Sequence, residues 1–331
     1  MPTLYRPLPT ARRTNMYYKL INNDCFMWMI EREENSITAI ITDPPYGVKE
    51  YTEDEIVKKR LGKGGIWRIP PSFDGHIRQP LPRFSVINDD PRERENVYHF
   101  FYNWGEKALR ILVPGGHVFI ASTPLLSDIV SRAMREAGFE RRGEIIRTVS
   151  TLRGGDRPKG YESEFSEISV IPKGMWEPWG LYRKPISEKT VAENLRKWGA
   201  GALRRENANS PFCDLIFSQK TPKLEREIAP HPSIKPQIFL RQLVYASLPL
   251  GKGIILDTFA GSGSTLAAAE HFCFDSIGIE RDKEFYKMGN TAIAKLAKLY
   301  PQEVSSNLQK EKIPELEKSQ QFSFEILTAQ V

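Results

Sequence analysis

Short apolar runs alternate with amphipathic stretches along most of this chain, so strand-like and helix-like periods take turns. Residues 17–23 (YYKLINN) predict a strand and 25–33 (CFMWMIERE) a short helix. Residues 37–42 (ITAIIT) are β-branched and stopped by two prolines, the pattern of a buried strand. Over 92–112, Val97, Phe100, Phe101, Trp104, Ala108 and Leu112 recur at helical spacing, and Pro114-Gly115-Gly116 separates that helix from the strand HVFIAS. A helix over about 124–137 stops at Gly138, and strands are expected around 143–150 and 166–171. Residues 236–248 predict a helix closed by Pro249 and Gly251. The strand IILD, a glycine-rich turn, the helix TLAAAEHF, the strand DSIGIE and a helix around 283–299 follow. No internal repeat is visible.

Two stretches break this rhythm. From Gly47 to about Pro91 runs a glycine- and proline-rich segment, too long for a plain connection inside a compact domain. From about 172 to 230 the chain turns rich in tryptophan and arginine, with little periodicity. The expected organisation is a first half over 1–171 containing the 47–91 loop, a distinct section over 172–230, a second half over 231–300, and a polar tail over 301–331.

Composition narrows the class. With 331 residues, 40% hydrophobic and 27% charged, the chain reads as an ordinary globular protein. It lacks an apolar run of membrane-spanning length and a secretion-type start, so no membrane partner and a cytoplasmic location are expected. Cys25, Cys213 and Cys273 are far apart, without CxxC or HExxH, so neither a disulfide framework nor a metal site is expected. The net charge is +6. Between Lys173 and Arg226, eleven bases face six acids, so nearly the whole surplus sits in the irregular section. A localised basic stretch suits a polyanionic partner, and equally a solvated surface.

Two motifs carry chemistry. ITDPPYG (41–47) ends a buried strand with an acid, two prolines and an aromatic ring. Proline cannot extend a ladder, so the stretch is either a plain strand exit or a stiff polar claw at the sheet's carboxyl edge. IILDTFAGSGSTLAAAEHFCFDSIGIERD (254–282) is strand, tight turn, helix and strand, with Glu280 about twenty residues past the turn. Gly261 and Gly263 admit close backbone approach at a helix N-terminus, and Glu280 is spaced for ribose hydroxyls. The nicotinamide fingerprint needs a small residue where Leu266 stands, and GxxxxGK[ST] is absent. S-adenosyl-methionine is the remaining cofactor, with Asp257 as an acid for its amino group.

With these motifs in this order, the chain resembles the beta-type exocyclic amino DNA methyltransferases, which act on N6 of adenine or N4 of cytosine. DPPY (43–46) looks like the catalytic motif and DTFAGSGST (257–265) like the cofactor loop. HPSIKP (231–236) is similar to the element touching the cofactor's methionine end, and NDCF (23–26) to the one reaching its adenine. LVPGGHVFIAS matches a structural strand. The resemblance implies an α/β, Rossmann-like S-adenosyl-methionine-dependent methyltransferase sheet of seven strands with helices on both faces. It also implies a circularly permuted motif order and a basic target-recognition insert. As catalytic residues it implies Asp43, Pro44, Pro45 and Tyr46. As cofactor-binding residues it adds Asp24, Cys25, Ser233, Lys235, Phe259, Ser262 and Thr265 to Asp257, Gly261, Gly263 and Glu280. One departure is visible: where the family often carries tryptophan, EIIRTVS places Arg147.

An exocyclic amine is a poor nucleophile because its lone pair is delocalised into the ring. Acceptors at Asp43 and the Pro44 carbonyl would draw the nitrogen towards tetrahedral geometry, and Tyr46 could stack on a base flipped out of the duplex. DNA contacts are expected from Arg153, Arg157, Lys159, Arg183, Lys184, Arg196, Lys197, Arg204 and Arg205. The leading Asp favours adenine N6; cytosine N4 is the alternative, followed by an RNA methyltransferase and a catalytically silent DNA-binding module. The expected partner is double-stranded DNA, and a homodimer and a cognate restriction endonuclease fit the same picture.

Overall fold

Ile37–Thr42, strand β2, is buried at every position, as a strand between two helical layers must be. In the computed structural model, which describes residues 17–45, 91–151, 158, 160–170, 172, 174–231 and 233–300, β2 lies inside an eight-stranded sheet. The strands are β1 (Tyr18–Asn22), β2, β3 (Leu112–Ala121), β4 (Glu140–Thr151), β5 (Gly174–Arg183), β6 (Leu215–Phe217), β7 (Ile254–Asp257) and β8 (Asp275–Glu280), in the order β1-β8-β7-β2-β3-β5-β4-β6. From β1 to β3 every neighbour is parallel; β5 is antiparallel to β3 and β4, and β6 pairs parallel with β4. The eighth strand is the three-residue edge β6, beyond the seven expected.

Helices cover both faces. On one, α1 (Cys25–Ile30), α2 (Pro91–Ile111) and α3 (Ser127–Glu136) bury Trp28, Phe101, Trp104, Ile129 and Met134 against Ile40 and Val118. On the other, α6 (Gln237–Ser247) and α7 (Ser264–His271) bury Phe239, Leu243, Val244 and Ala268 against Ala39, Ile41 and Phe119. Alternate residues of β2 thus feed opposite cores. Helix α8 (Lys283–Ala297) packs Ile293 and Leu296 against Leu266 of α7 and Leu20 of β1.

The 172–230 section is not a separate unit. Its first strand, β5, sits between β3 and β4, with Trp179 and Tyr182 almost wholly buried. Its two glycines and Pro178 disguise it in sequence, because its first half is open to solvent and its second half is buried at every position, so neither half alternates. The strand expected at 166–171 is absent; the described residues there are turns, with Ile168 and Val170 exposed. After β5 come α4 (Val191–Trp198), closed at Thr190 and Glu193 by a capping box, then β6 and α5 (Lys223–Ile228). No helix among the described residues is long and apolar enough to cross a membrane.

Candidate active site

Strands β2 and β7 are neighbours, with Ala39 beside Ile255 and Ile40 beside Leu256. From there the chain leaves β2 towards β3 and β7 towards β8, in opposite directions across the sheet. Such a divergence opens a crevice at the carboxyl edge. A cleft of about 880 Å³ lies there, lined by the ends of β2, β7 and β8 and the loops before α1 and α6. Asp43, Pro44, Pro45, Asp24, Cys25, Ser233, Lys235, Asp257, Phe259, Gly261, Ser262, Thr265 and Glu280 all line it. Tyr46, Arg153, Arg157 and Lys159 lie outside the described residues.

The cofactor turn is cross-braced. Thr42 Oγ1 donates to Asp257 Oδ1 at 2.8 Å, and the Phe259 N–H donates to the same oxygen at 3.1 Å. Thr258 Oγ1 lies 3.2 Å from Thr42 Oγ1 and accepts from Trp104 Nε1 at 3.2 Å. Burial pushes the Asp257 carboxyl up to about 6, although these hydrogen bonds oppose the shift. Glu280 Oε2 accepts the Gly261 N–H at 2.8 Å and Oε1 accepts the Asp282 N–H at 2.7 Å. Burial raises the Glu280 carboxyl as well. Gly261 has φ +51°, and a Cβ there would lie 3.1 Å from the His231 ring, which packs edge-on against Phe285 at 4.3 Å.

At the wall of the cleft beside α1, Asp24 caps that helix, its Oδ1 accepting from the Phe26 and Met27 N–H groups at 2.9 and 3.2 Å. Cys25 is buried and its thiol is pushed up to about 12, which leaves it a packing group rather than a nucleophile. Phe26 and Phe100 meet edge-on at 5.4 Å, and Phe100 lies 6.2 Å from Phe259, making a flat apolar wall. Phe100 and Trp179 line the cleft although no motif covers them, and His231 and Thr258 line it from within HPSIKP and DTFAGSGST. Only the helical spacing that buries one face of α2 hinted at Phe100.

Three groups of expected residues have surroundings that the motifs did not foretell. Gly263 is not among the lining residues: at φ +79° it starts α7, and a Cβ would fall 2.4 Å from Ile293, so it serves the packing of α7 on α8. Lys235 does line the cleft, but its ammonium is bonded to Asp43 and lies 3.7 Å from Glu177, facing the catalytic end rather than only the cofactor end. The third concerns Arg183, Lys184, Arg196, Lys197, Arg204 and Arg205. Because β5 runs back antiparallel, Arg183 pairs in register with His117 in the middle of β3, level with Ala39 and away from the carboxyl end of β2 where the cleft lies. There Arg183 Nε donates to Glu140 at 2.8 Å and its Nη1 to the Gly201 carbonyl at 2.9 Å, while Lys184 donates to Asn35 and the Leu112 carbonyl. Arg196 and Lys197 end α4, which is anchored to β3 by Asn194 on the Pro114 carbonyl, and Lys197 pairs with Glu188. Arg204 stacks over Tyr245 at 4.4 Å near the end of α6, with the exposed Arg205 beside it.

A nucleoside-sized cleft at a sheet divergence, with a DPP claw on one strand and a glycine turn on its neighbour, defines an α/β enzyme of the Rossmann-like methyltransferase class. The model of the DNA methylase family N6_N4_Mtase matches residues 37–291, and the chain belongs to that family. It is 24% identical over 290 residues to the type II methyltransferase M.HindIII of Haemophilus influenzae, covering 81% of this chain and 93% of that one. With M2.DpnII of Streptococcus pneumoniae it shares 22% over 280 residues, 83% of this chain and 91% of the relative. Among solved structures, the cytosine-N4-specific PvuII DNA methyltransferase superposes with a TM-score of 0.54 at 14% identity, covering 85% of this chain and 91% of that one. The M1.HpyAVI–SAM complex gives 0.50 at 15%, covering 83% and 99%. These likenesses establish the shared fold.

Proposed function

We propose that the protein transfers a methyl group from S-adenosyl-methionine to an exocyclic amino group in double-stranded DNA, at adenine N6 in preference to cytosine N4. The observation that carries this reading is the convergence of Asp43 and the Asp257–Gly261 turn on one cleft from adjacent strand ends. A family member without transfer activity would have no need to keep both.

The residues present fit the cofactor. Gly261 leaves a cradle that a Cβ would fill, and the buried Asp257 and half-buried Glu280 keep acceptor capacity beyond their own backbone bonds. Glu280 would take the ribose hydroxyls, the Phe26–Phe100–Phe259 wall the adenine, and Asp257 with Ser233 and Ser262 the methionine end. When bound, S-adenosyl-methionine supplies an electrophilic methyl group on a positively charged sulfur.

The remaining work belongs to this chain. Asp43 accepts one N–H of the target amine and the Pro44 carbonyl accepts the other, which localises the nitrogen lone pair. Proline fixes that carbonyl with little entropy left to lose. The Asp43 carboxylate also stabilises the positive charge growing on nitrogen and is placed to take the proton the amine sheds. The Cys25 thiol has no part in the transfer: it is buried, and burial pushes it up and keeps it protonated. A homodimer and a cognate restriction endonuclease accompany the reading and are checked by light scattering and by restriction of unmodified DNA in cell extracts.

The deciding experiment is expression in a methylation-free host followed by single-molecule sequencing, with duplex DNA and RNA transcripts compared in vitro using radiolabelled methyl donor. Methylated adenine at one sequence word is expected. Methylated cytosine N4 would reassign the base, and label in RNA alone would overturn the substrate.

A further inference from the structure

Four largely shielded charges of alternating sign follow one another beside the cleft, on the face covered by α6. Arg147 of β4 stands directly across from Glu177 of β5, with Nη1 at 3.3 Å from Oε2. The other Glu177 oxygen accepts the Trp179 indole N–H at 2.7 Å and lies 3.7 Å from Lys235 Nζ. Lys235 Nζ in turn bonds Asp43 Oδ2. Side-chain exposures along the line are 4%, 13%, 10% and 18%, so every member is largely shielded from water. Arg147 cannot drift: Nε donates to Ser218 Oγ at 3.1 Å, Nη2 to the Gln219 carbonyl at 3.2 Å, and its guanidinium lies 5.2 Å from the Phe239 ring centre.

This arrangement poses a physical problem for the reaction. Asp43 must accept from the target amine, yet an ammonium already holds its carboxylate. Expelling that ammonium into a shielded cleft with no second anion would strand a charge, at a cost that would oppose base entry. The second anion is in place: Glu177, held from behind by Arg147 and Trp179, is already within ion-pair distance of the same nitrogen.

We infer that Glu177, fixed by Arg147, is a positioning residue that takes over the Lys235 ammonium when the target amine claims Asp43. Lysine 235 then guards and orients the catalytic carboxylate between turnovers and moves aside without leaving its anionic surroundings. Arg147, which stands where the family often has tryptophan, is the back-stop that keeps Glu177 from following. The inference rests on Asp43 being the amine acceptor.

The test uses the full chain, radiolabelled donor and sheared genomic DNA free of adenine and cytosine methylation. Glu177→Gln, close to isosteric, should lower kcat at least tenfold while the cofactor Kd from calorimetry stays within twofold of wild type. Lys235→Met should also be impaired, and the double variant should be no slower than Lys235→Met alone, because Glu177 acts only through that lysine. A structural brace would instead lower Tm and make the rate losses of the two single variants multiply in the double variant. Glu177→Asp keeps the charge and should recover at least a third of the wild-type rate, which also covers the case in which Glu177→Gln does not fold. Wild-type kcat in Glu177→Gln, multiplying losses in the double variant, or no recovery in Glu177→Asp overturns the inference. An inert wild type would bring down the parent reading and this one together, whereas an active wild type with an equally active Glu177→Gln brings down only the lysine transfer.

Discussion

At the carboxyl edge of the sheet, Asp43, Asp257 and Glu280 face a cleft of about 880 Å³; at the amino edge, Arg183, Lys184 and Asn194 face backbone carbonyls. Both edges hold shielded polar groups, but the partners differ. Amino-edge groups finish the hydrogen bonding of chain segments that end there, such as the Gly201, Leu112 and Pro114 carbonyls. Carboxyl-edge groups are carboxylates whose acceptor capacity is only partly used by backbone N–H groups. Charge type at a sheet edge therefore says less about function than whether its partners are internal.

The contrast can be broken most sharply at Asp43. Asp43→Ala should slow methyl transfer by about 10²- to 10³-fold or more, since it removes an acceptor aimed at developing charge. Cofactor affinity by calorimetry should change little, and a retained rate would take Asp43 out of the mechanism. Next comes Gly261→Val. A branched side chain at φ +51° and against His231 should weaken donor binding by about 100-fold, equivalent to about 3 kcal/mol. Unchanged affinity would refute the placement of the turn.

The amino edge should respond in stability instead. Arg183→Met leaves the Gly201 carbonyl and Glu140 without their donor, at a cost of about 1–3 kcal/mol in urea unfolding. Affinity of the folded variant for nonspecific DNA should stay at the wild-type value. His117 provides a pH version of the same comparison. Burial lowers its pKa from 6.5 to about 3, so the native state keeps the ring neutral. Below pH 6.5 the unfolded chain takes a proton that the native chain refuses. The stability is therefore complete above 6.5 and lost as pH falls towards 3. His117→Asn should flatten this loss by up to about 1.4 kcal/mol per pH unit relative to wild type, read from denaturant unfolding at pH 7 and 5. The smallest effect is expected for Arg196→Gln with Lys197→Gln. The salt slope of nonspecific DNA binding should not move, whereas loss of two phosphate contacts would lower it by about 2.

Much of the cleft was legible because its residues are close together in sequence or end strands of strong pattern. The β7–turn–α7–β8 unit is a local grammar of apolar run, glycine turn and distal acid, and Asp43-Pro44-Pro45 terminates an unmistakable buried strand. The misreadings came from segments whose neighbours are distant in sequence. Gly263 looks like a cofactor glycine until Ile293, thirty residues on, is seen against it. Arg183 and Lys184 look like a basic surface until β5 is seen running back away from the cleft. Strand β5 itself hid behind its glycines and proline, since only its second half, Pro178–Arg183, is buried, and that half is buried on both faces and so has no period-two signal.

The sequence by itself determined the order of strands and helices outside 166–230, the paired motifs, and hence the family and the chemistry it invites, because these depend on local periodicity and on residues within a few positions of one another. Only the tertiary structure decided which cations meet which anions. Arg147, Glu177, Lys235 and Asp43 come from four separate segments, and hydrogen bonds between such segments exist only once the sheet has fixed its strand order and register.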